Sequence, residues 1–117
     1  LGAYQVAENG DFANWKTAGR QGGSIGGAMD LAVGARRVFI AMDHTTRDGE
    51  PRLMTHCTLP VTALGVVRLV ATNLGLFEVT PEGFLLREIA PGFTPDEVQD
   101  QTEAKLIVPD DLKEVQA

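Results

Sequence analysis

Apolar and polar positions alternate, cluster and break along this chain in a way that marks out short elements. Residues 1–6 read as a strand, and Glu8-Asn9-Gly10-Asp11 as a turn signalled by Asn-Gly. Residues 12–15 return as a second strand. The polar, Gly-rich stretch 16–27 is long enough to serve a function rather than merely connect. A short helix is predicted over 27–35, with Met29, Leu31, Ala32 and Val33 available to face a sheet. The continuous apolar run 38–42 predicts a strand covered on both faces.

Beyond that run, 47–51 is a turn, 53–57 a short strand and 58–62 a turn with Pro60. Residues 66–72 form a strand, Arg68 excepted. Residues 76–80 and 84–89 make a hairpin around Pro81-Glu82-Gly83. Thr94-Pro95-Asp96-Glu97 has the form of a helix start: Thr as N-cap, Pro in the first position, Glu three residues after the cap. That helix is predicted to reach about residue 102, followed by an extended piece at 106–108 and a frayed polar end. The expectation is one α/β domain over 1–117, built on an open mixed sheet.

Composition narrows the function classes. The chain is 44% hydrophobic and 22% charged, as in ordinary globular domains. A net charge of −6 argues against nucleic acid as a partner, since phosphate binding needs clustered Lys and Arg. No apolar run approaches membrane-spanning length. Cys57 is the single cysteine, so no internal disulfide can form. Together these give an expectation of a cytoplasmic protein with no membrane partner. Residues 1–6 already read as a core strand, which gives the further expectation that the chain is part of a longer polypeptide.

The densest chemical signal is Gly22-Gly23-Ser24-Ile25-Gly26-Gly27-Ala28-Met29-Asp30-Leu31. Glycines that open a helix aim free N–H groups at whatever sits in front of them. The stretch lacks the Gly-x-Gly-x-x-Gly register. Gly22 to Gly27 has Walker spacing, but Ala28 stands where Lys is required. A backbone cradle for a carbonyl oxygen, carboxylate or phosphate remains, beside the plainer reading of a connecting loop. Asp43-His44 sits at a strand end, where ligands of open α/β sheets bind. Adjacent strand residues point to opposite faces, however, so a structural role for His44 is favoured. Cys57 reads as a small buried hydrophobe, and Asp43, His44, His56 and Cys57 have no metal spacing.

These residues resemble the B (beta) subunit of class I CoA-transferases acting on 3-oxo acids. The resemblance rests on Leu1-Gly2-Ala3, Ala13-Asn14-Trp15 and Gly26-Gly27-Ala28-Met29-Asp30-Leu31. It continues through the run 38–42 with His44, Cys57-Thr58-Leu59-Pro60 and Glu88-Ile89-Ala90-Pro91-Gly92. It implies a three-layer, open mixed-sheet CoA-transferase-like fold, here truncated at the N-terminus. It also implies a ping-pong reaction through a glutamyl-CoA thioester, with succinyl-CoA and 3-oxoadipate or acetoacetate as substrates. No cofactor or metal is implied, because the CoA thioester is itself a substrate. The implied partners are the CoA-transferase A (alpha) subunit, the acyl-CoA and the carboxylic acid, in a hetero- or homo-oligomer.

In the family the nucleophile lies in a Ser-Glu-Asn-Gly motif upstream of Leu-Gly-Ala. Glu8-Asn9-Gly10 comes after Leu-Gly-Ala and follows Ala7, so it is read as a coincidental match. No catalytic residue is expected in 1–117, and the chain alone is expected to be inactive. The resemblance places the backbone of Gly26, Gly27, Ala28 and Met29 along the substrate pocket as an oxyanion cradle. Asn14 is a second pocket candidate, and Cys57-Thr58-Leu59-Pro60 is structural. A non-catalytic ligand-binding effector domain of related fold stays open as the alternative.

Overall fold

A computed structural model describes residues 2–13 and 37–115 of the chain. Strand β1 (Gln5–Ala7) turns back through Gly10 into β2 (Phe12–Ala13). Gly10 has φ 93°, which suits glycine, and a Cβ there would lie 3.1 Å from the Val67 carbonyl oxygen. Asn9 Oδ1 accepts from the Asp11 N–H at 3.1 Å and shapes the same turn. Strand β3 (Val38–Ala41) comes next, then β4 (Leu53–Met54), which pairs parallel with β1. The three-stranded sheet therefore has the order β2-β1-β4.

A second sheet is built around β3. It pairs parallel with β5 (Val67–Thr72), which continues as an antiparallel meander through β6 (Gly75–Thr80) and β7 (Gly83–Ile89). The expected hairpin around Pro81-Glu82-Gly83 is present. Helix α1 (Pro95–Asp100) follows, and β8 (Lys113–Glu114) closes the order β3-β5-β6-β7-β8. The architecture is the expected open, mixed-sheet α/β fold.

The two sheets run opposed. Gly10, after the end of β1, accepts at its carbonyl from the Val67 N–H at the start of β5 (3.0 Å). His44, past the end of β3, accepts at its carbonyl from the Arg52 N–H just before β4 (3.3 Å). The core lies between them. Val6, Phe12, Leu53, Val67, Val70, Phe77, Phe84, Leu86 and Val98 are wholly buried. Burial of such side chains contributes roughly 1.5–3 kcal/mol each.

Four expectations need correction. The 38–42 run is not covered on both faces: Val38 and Ile40 are buried, whereas Ala41 is exposed and Phe39 is 58% exposed. The outward row Phe39, Leu69, Glu78, Leu85 is mixed in polarity, as on a face open to solvent, and among the described residues β3 is the last strand of its sheet. The strand expected over 53–57 stops at Met54, because the Thr55 N–H is taken by Glu103 Oε1 (2.5 Å). The helix stops at Asp100 rather than near 102, because the Gln101 and Thr102 N–H groups bond three residues back, to Val98 and Gln99, and the Thr102 hydroxyl also donates to the Val98 carbonyl (2.7 Å). The polar end is not frayed as far as Val115. Ile107 bridges Leu85, Lys113 and Glu114 pair with Glu88 and Ile89, and the Val115 N–H reaches the Ile89 carbonyl. The start of α1 is as read: Thr94 and Glu97 form a reciprocal capping box, with Pro95 following the cap.

His44 joins three elements. Its ring is 1% exposed and packs against Phe77 with centroids 5.2 Å apart. Nε2 lies 2.7 Å from Thr102 Oγ1, whose proton goes to Val98. Nδ1 lies 2.9 Å from Thr72 Oγ1, which accepts from the Leu74 N–H. The pattern assigns the proton to Nε2, with Nδ1 accepting from Thr72. Burial lowers the His44 pKa from 6.5 to about 4.

This packing makes two outcomes testable. A Cβ at Gly75 would drive into the Glu88 carbonyl oxygen, which belongs to backbone and cannot swing away. Gly75→Ala should cost about 2 kcal/mol or more in urea unfolding, consistent with forced backbone shifts. A stability near wild type would show that the β6–β7 ladder yields there. The second outcome concerns pH. Between pH 6.5 and 4 the unfolded chain protonates His44 while the folded chain does not. Stability therefore falls as pH drops through that window, by on the order of 3 kcal/mol, and His44 adds no further loss below it. His44→Gln should flatten the slope between pH 6.5 and 4.5, whatever its effect at pH 7. An unchanged slope would assign the loss to other groups. Glu103, whose carboxyl the Thr55 N–H holds below 4.5, contributes stability that is lost only at lower pH.

Candidate functional site

The expected pocket residues Asn14, Gly26, Gly27, Ala28 and Met29 all lie outside the described residues. What the structure places is the pair of attachment points of 14–36. The Tyr4 N–H donates to the Ala13 carbonyl at 2.8 Å. The Arg52 guanidinium stacks 5.2 Å above the Tyr4 ring, and the Arg52 N–H reaches the His44 carbonyl. Ala13 thus leaves the described fold on the side where β3 ends. The chain resumes at Arg37, where β3 begins, with the Val38 N–H bonded to the Val66 carbonyl (2.8 Å). The Gly-rich connection therefore starts beside the carboxyl end of a parallel strand, the end at which open α/β sheets bind ligands.

The polar groups on that side fall into two kinds. His44 is committed: both ring nitrogens are bonded to threonine hydroxyls, and its low pKa keeps it neutral. It serves as a structural histidine, as favoured from the sequence, and Asp43 beside it is exposed. Arg52 is uncommitted. Its Nε is buried without a hydrogen-bond partner, and its side chain makes no ion pair among the described residues.

Glu8 stands at the far end. It follows β1, its N–H donates to the Met54 carbonyl (2.9 Å), and its carboxylate lies beside Gly83. With Asn9, Arg68, Thr80 and Glu82 it lines an open cleft of about 510 Å³. That cleft sits where β3 and β5 begin, away from Ala13, Tyr4 and His44. Local bonds explain the Glu8-Asn9-Gly10 turn, consistent with reading it as a coincidence of sequence.

Cys57-Thr58-Leu59-Pro60 is held by a side chain that sequence reasoning missed. Gln5 is 9% exposed in the middle of β1. Its Oε1 accepts from the Thr58 and Leu59 N–H groups (2.9 and 3.0 Å), and its Nε2 donates to Thr58 Oγ1 (2.8 Å). The signal was available: an amide inside the apolar run Ala3-Tyr4-Gln5-Val6 must find partners when buried. Burial, and then the Asp11 carboxylate, push the Cys57 thiol up to about 11, which makes it a poor nucleophile. Among the described residues no group of three or more His, Cys, Asp or Glu is placed to hold a metal, and no helix is long and apolar enough to cross a membrane.

The chain is 48% identical over 109 residues to the B subunit of the 3-oxoadipate CoA-transferase of Pseudomonas putida, covering 92% of this chain and 51% of that one. It is 39% identical over 108 residues to the B subunit of the succinyl-CoA:3-ketoacid coenzyme A transferase of Helicobacter pylori, covering 92% and 52%. It thus spans about half the length of the curated relatives it matches. In fold it is similar to the acyl-CoA transferase YdiF of Escherichia coli O157:H7, with TM-score 0.78 at 19% identity over 99% of this chain and 27% of that one. It is also similar to glutaconate coenzyme A-transferase of Acidaminococcus fermentans, with TM-score 0.71 at 19% identity over 100% and 52%. The decarboxylase AibA/AibB shares the fold as well, with TM-score 0.69 at 19% identity over 99% and 49%. A sequence model described as "Coenzyme A transferase" matches residues 1–101, and the chain belongs to that family.

Proposed function

We propose that this chain is the C-terminal part of the B subunit of a 3-oxoacid CoA-transferase. With the A subunit, the whole enzyme would move CoA between succinyl-CoA and a 3-oxo acid such as 3-oxoadipate or acetoacetate. The observation that carries this reading is the Gly26-Gly27-Ala28-Met29 stretch, set in a connection that leaves Ala13 beside the carboxyl end of β3. The 48% identity to part of a 3-oxoadipate CoA-transferase supports the substrate class.

The chemistry proposed is stepwise. A glutamate carboxylate from the polypeptide that precedes Leu1 attacks the thioester carbonyl. The tetrahedral intermediate expels CoA thiolate and leaves an acyl-glutamyl anhydride. The thiolate then attacks the glutamyl carbonyl, releasing the first acid and forming the enzyme–CoA thioester. The second acid reverses these steps. Each attack puts negative charge on a carbonyl oxygen. Backbone N–H groups at Gly26 to Met29 would stabilise that charge, as an oxyanion hole does. CoA is a substrate throughout, and no cofactor is required. Glu8 takes no part.

The test uses the full-length A/B enzyme. Transfer from succinyl-CoA to a 3-oxo acid is expected, with a trappable thioester on a glutamate upstream of Leu1. Gly27→Val should lower turnover by roughly 10²–10³ with little change in thermal stability, the loss typical of one oxyanion donor. Glu8→Ala should stay near wild type. Ligand binding without transfer would favour the effector-domain alternative. Loss of the thioester in Glu8→Ala would return the nucleophile to the Asn-Gly turn.

A further inference from the structure

The arginines of the second sheet and Arg52 differ in what they do with their donors. Arg87 pairs with Glu78 at 2.9 Å. Arg68 donates to the carbonyls of Gly65 and Val67. Arg52 does neither. Its main chain is fixed on both sides, by the N–H bond to His44 and by the bond from the Val6 N–H to its carbonyl (2.9 Å). Its guanidinium carbon stacks 5.2 Å from the Tyr4 centroid. Its Nε is buried and unbonded.

A guanidinium offers five donors in a rigid fork and cannot lose its charge to escape an unfilled site. Leaving such a donor buried without an acceptor is unfavourable, because its bond to water is lost and nothing replaces it. Stacking on an aromatic ring holds the fork in place but gives the buried Nε–H no acceptor. An acceptor with two oxygens and a negative charge, such as a carboxylate or phosphate, would pair Nε and a terminal nitrogen together. The location fits such a ligand. Arg52 stands over Tyr4, whose N–H bonds Ala13, the residue from which the Gly-rich connection departs.

We propose that Arg52 is an oxyanion-binding residue of the substrate site, engaging through its guanidinium either the carboxylate of the acid or a phosphate of CoA. This rests on the transferase reading for the identity of the ligands, and it adds a specificity-determining residue outside the Gly-rich stretch. Tyr4 acts as a positioning residue that presents the fork.

The test measures direct binding to the full-length A/B assembly, independently of turnover. Succinate carries carboxylates and no phosphate. Free CoA carries phosphates and no carboxylate. Titrating each by calorimetry against wild type, Arg52→Gln and Arg52→Lys separates the two sources. Arg52→Gln should weaken one of the two ligands by roughly 10- to 100-fold, as expected for a lost charge-assisted hydrogen bond. Arg52→Lys should recover part of the loss, since it returns the charge without the fork. Loss for succinate assigns the carboxylate, and loss for CoA the phosphate. Unchanged affinity for both ligands in Arg52→Gln overturns the proposal. Unchanged affinities together with a lowered melting temperature would overturn it too, and would assign Arg52 to a carboxylate elsewhere in the polypeptide. Wild-type assembly that transfers no CoA sinks the transferase reading, while the two titrations still decide Arg52.

Discussion

The constraint on which the described fold turns is the need to satisfy a neutral imidazole in a dry core. His44 follows the last residues of β3, and each of its nitrogens binds a hydroxyl from a different part of the chain. Thr72 ends β5, and Thr102 follows α1. The second of these bonds also ties the ring to the end of the helix, because Thr102 uses its proton on the Val98 carbonyl. The relay Leu74, Thr72, His44, Thr102, Val98 uses every donor once. Such a network specifies one arrangement because any shift leaves a buried polar atom unpaired. It also removes His44 from acid–base chemistry, since a histidine held neutral by burial does not exchange protons near pH 7.

Opposed sheet directions turn this local fact into a site. The end of β3 lies against the start of β4, and β4 runs beside β1. Tyr4, Ala13, His44 and Arg52 therefore gather at one end of the molecule, although they are far apart in sequence. Glu8, Gly10 and Arg68 gather at the other. The division separates the two Gly-bearing signals of the sequence. One is an Asn-Gly turn closed by its own hydrogen bonds, and the other a connection whose two ends are set at opposite ends of β3.

Much of the fold was legible because it depends on local rules. The capping box at Thr94 and Glu97, the turn at Asn9-Gly10 and the hairpin at Pro81-Glu82-Gly83 are each written in neighbouring residues. Family membership was legible for a different reason, in the order of the Gly-Gly-Ala-Met-Asp-Leu and Cys-Thr-Leu-Pro pieces. The failures share a cause: each was decided by a distant partner. Strand β4 is cut short by Glu103, the 38–42 run is half exposed because only one of its faces meets the core, and the C-terminal residues are ordered by β7. Periodicity reports how a segment could be covered, and topology decides whether it is. The expected pocket positions themselves fall outside the described residues, between the attachment points at Ala13 and Arg37.

Two polar residues near β1 show how the same physical rule leads to structure in one case and to chemistry in the other. Gln5 is buried and neutral, and its amide finds three partners in the Thr58-Leu59 turn. Its role is complete within the chain. Arg52 is partly buried and charged, and stacks on Tyr4, the residue before Gln5, yet its buried Nε has no acceptor. A buried polar group must be paired, and when the protein supplies no partner the acceptor has to come from outside the described fold. That accounting singles out Arg52 without appeal to any motif, and it does so at the end of the fold from which the Gly-rich connection departs.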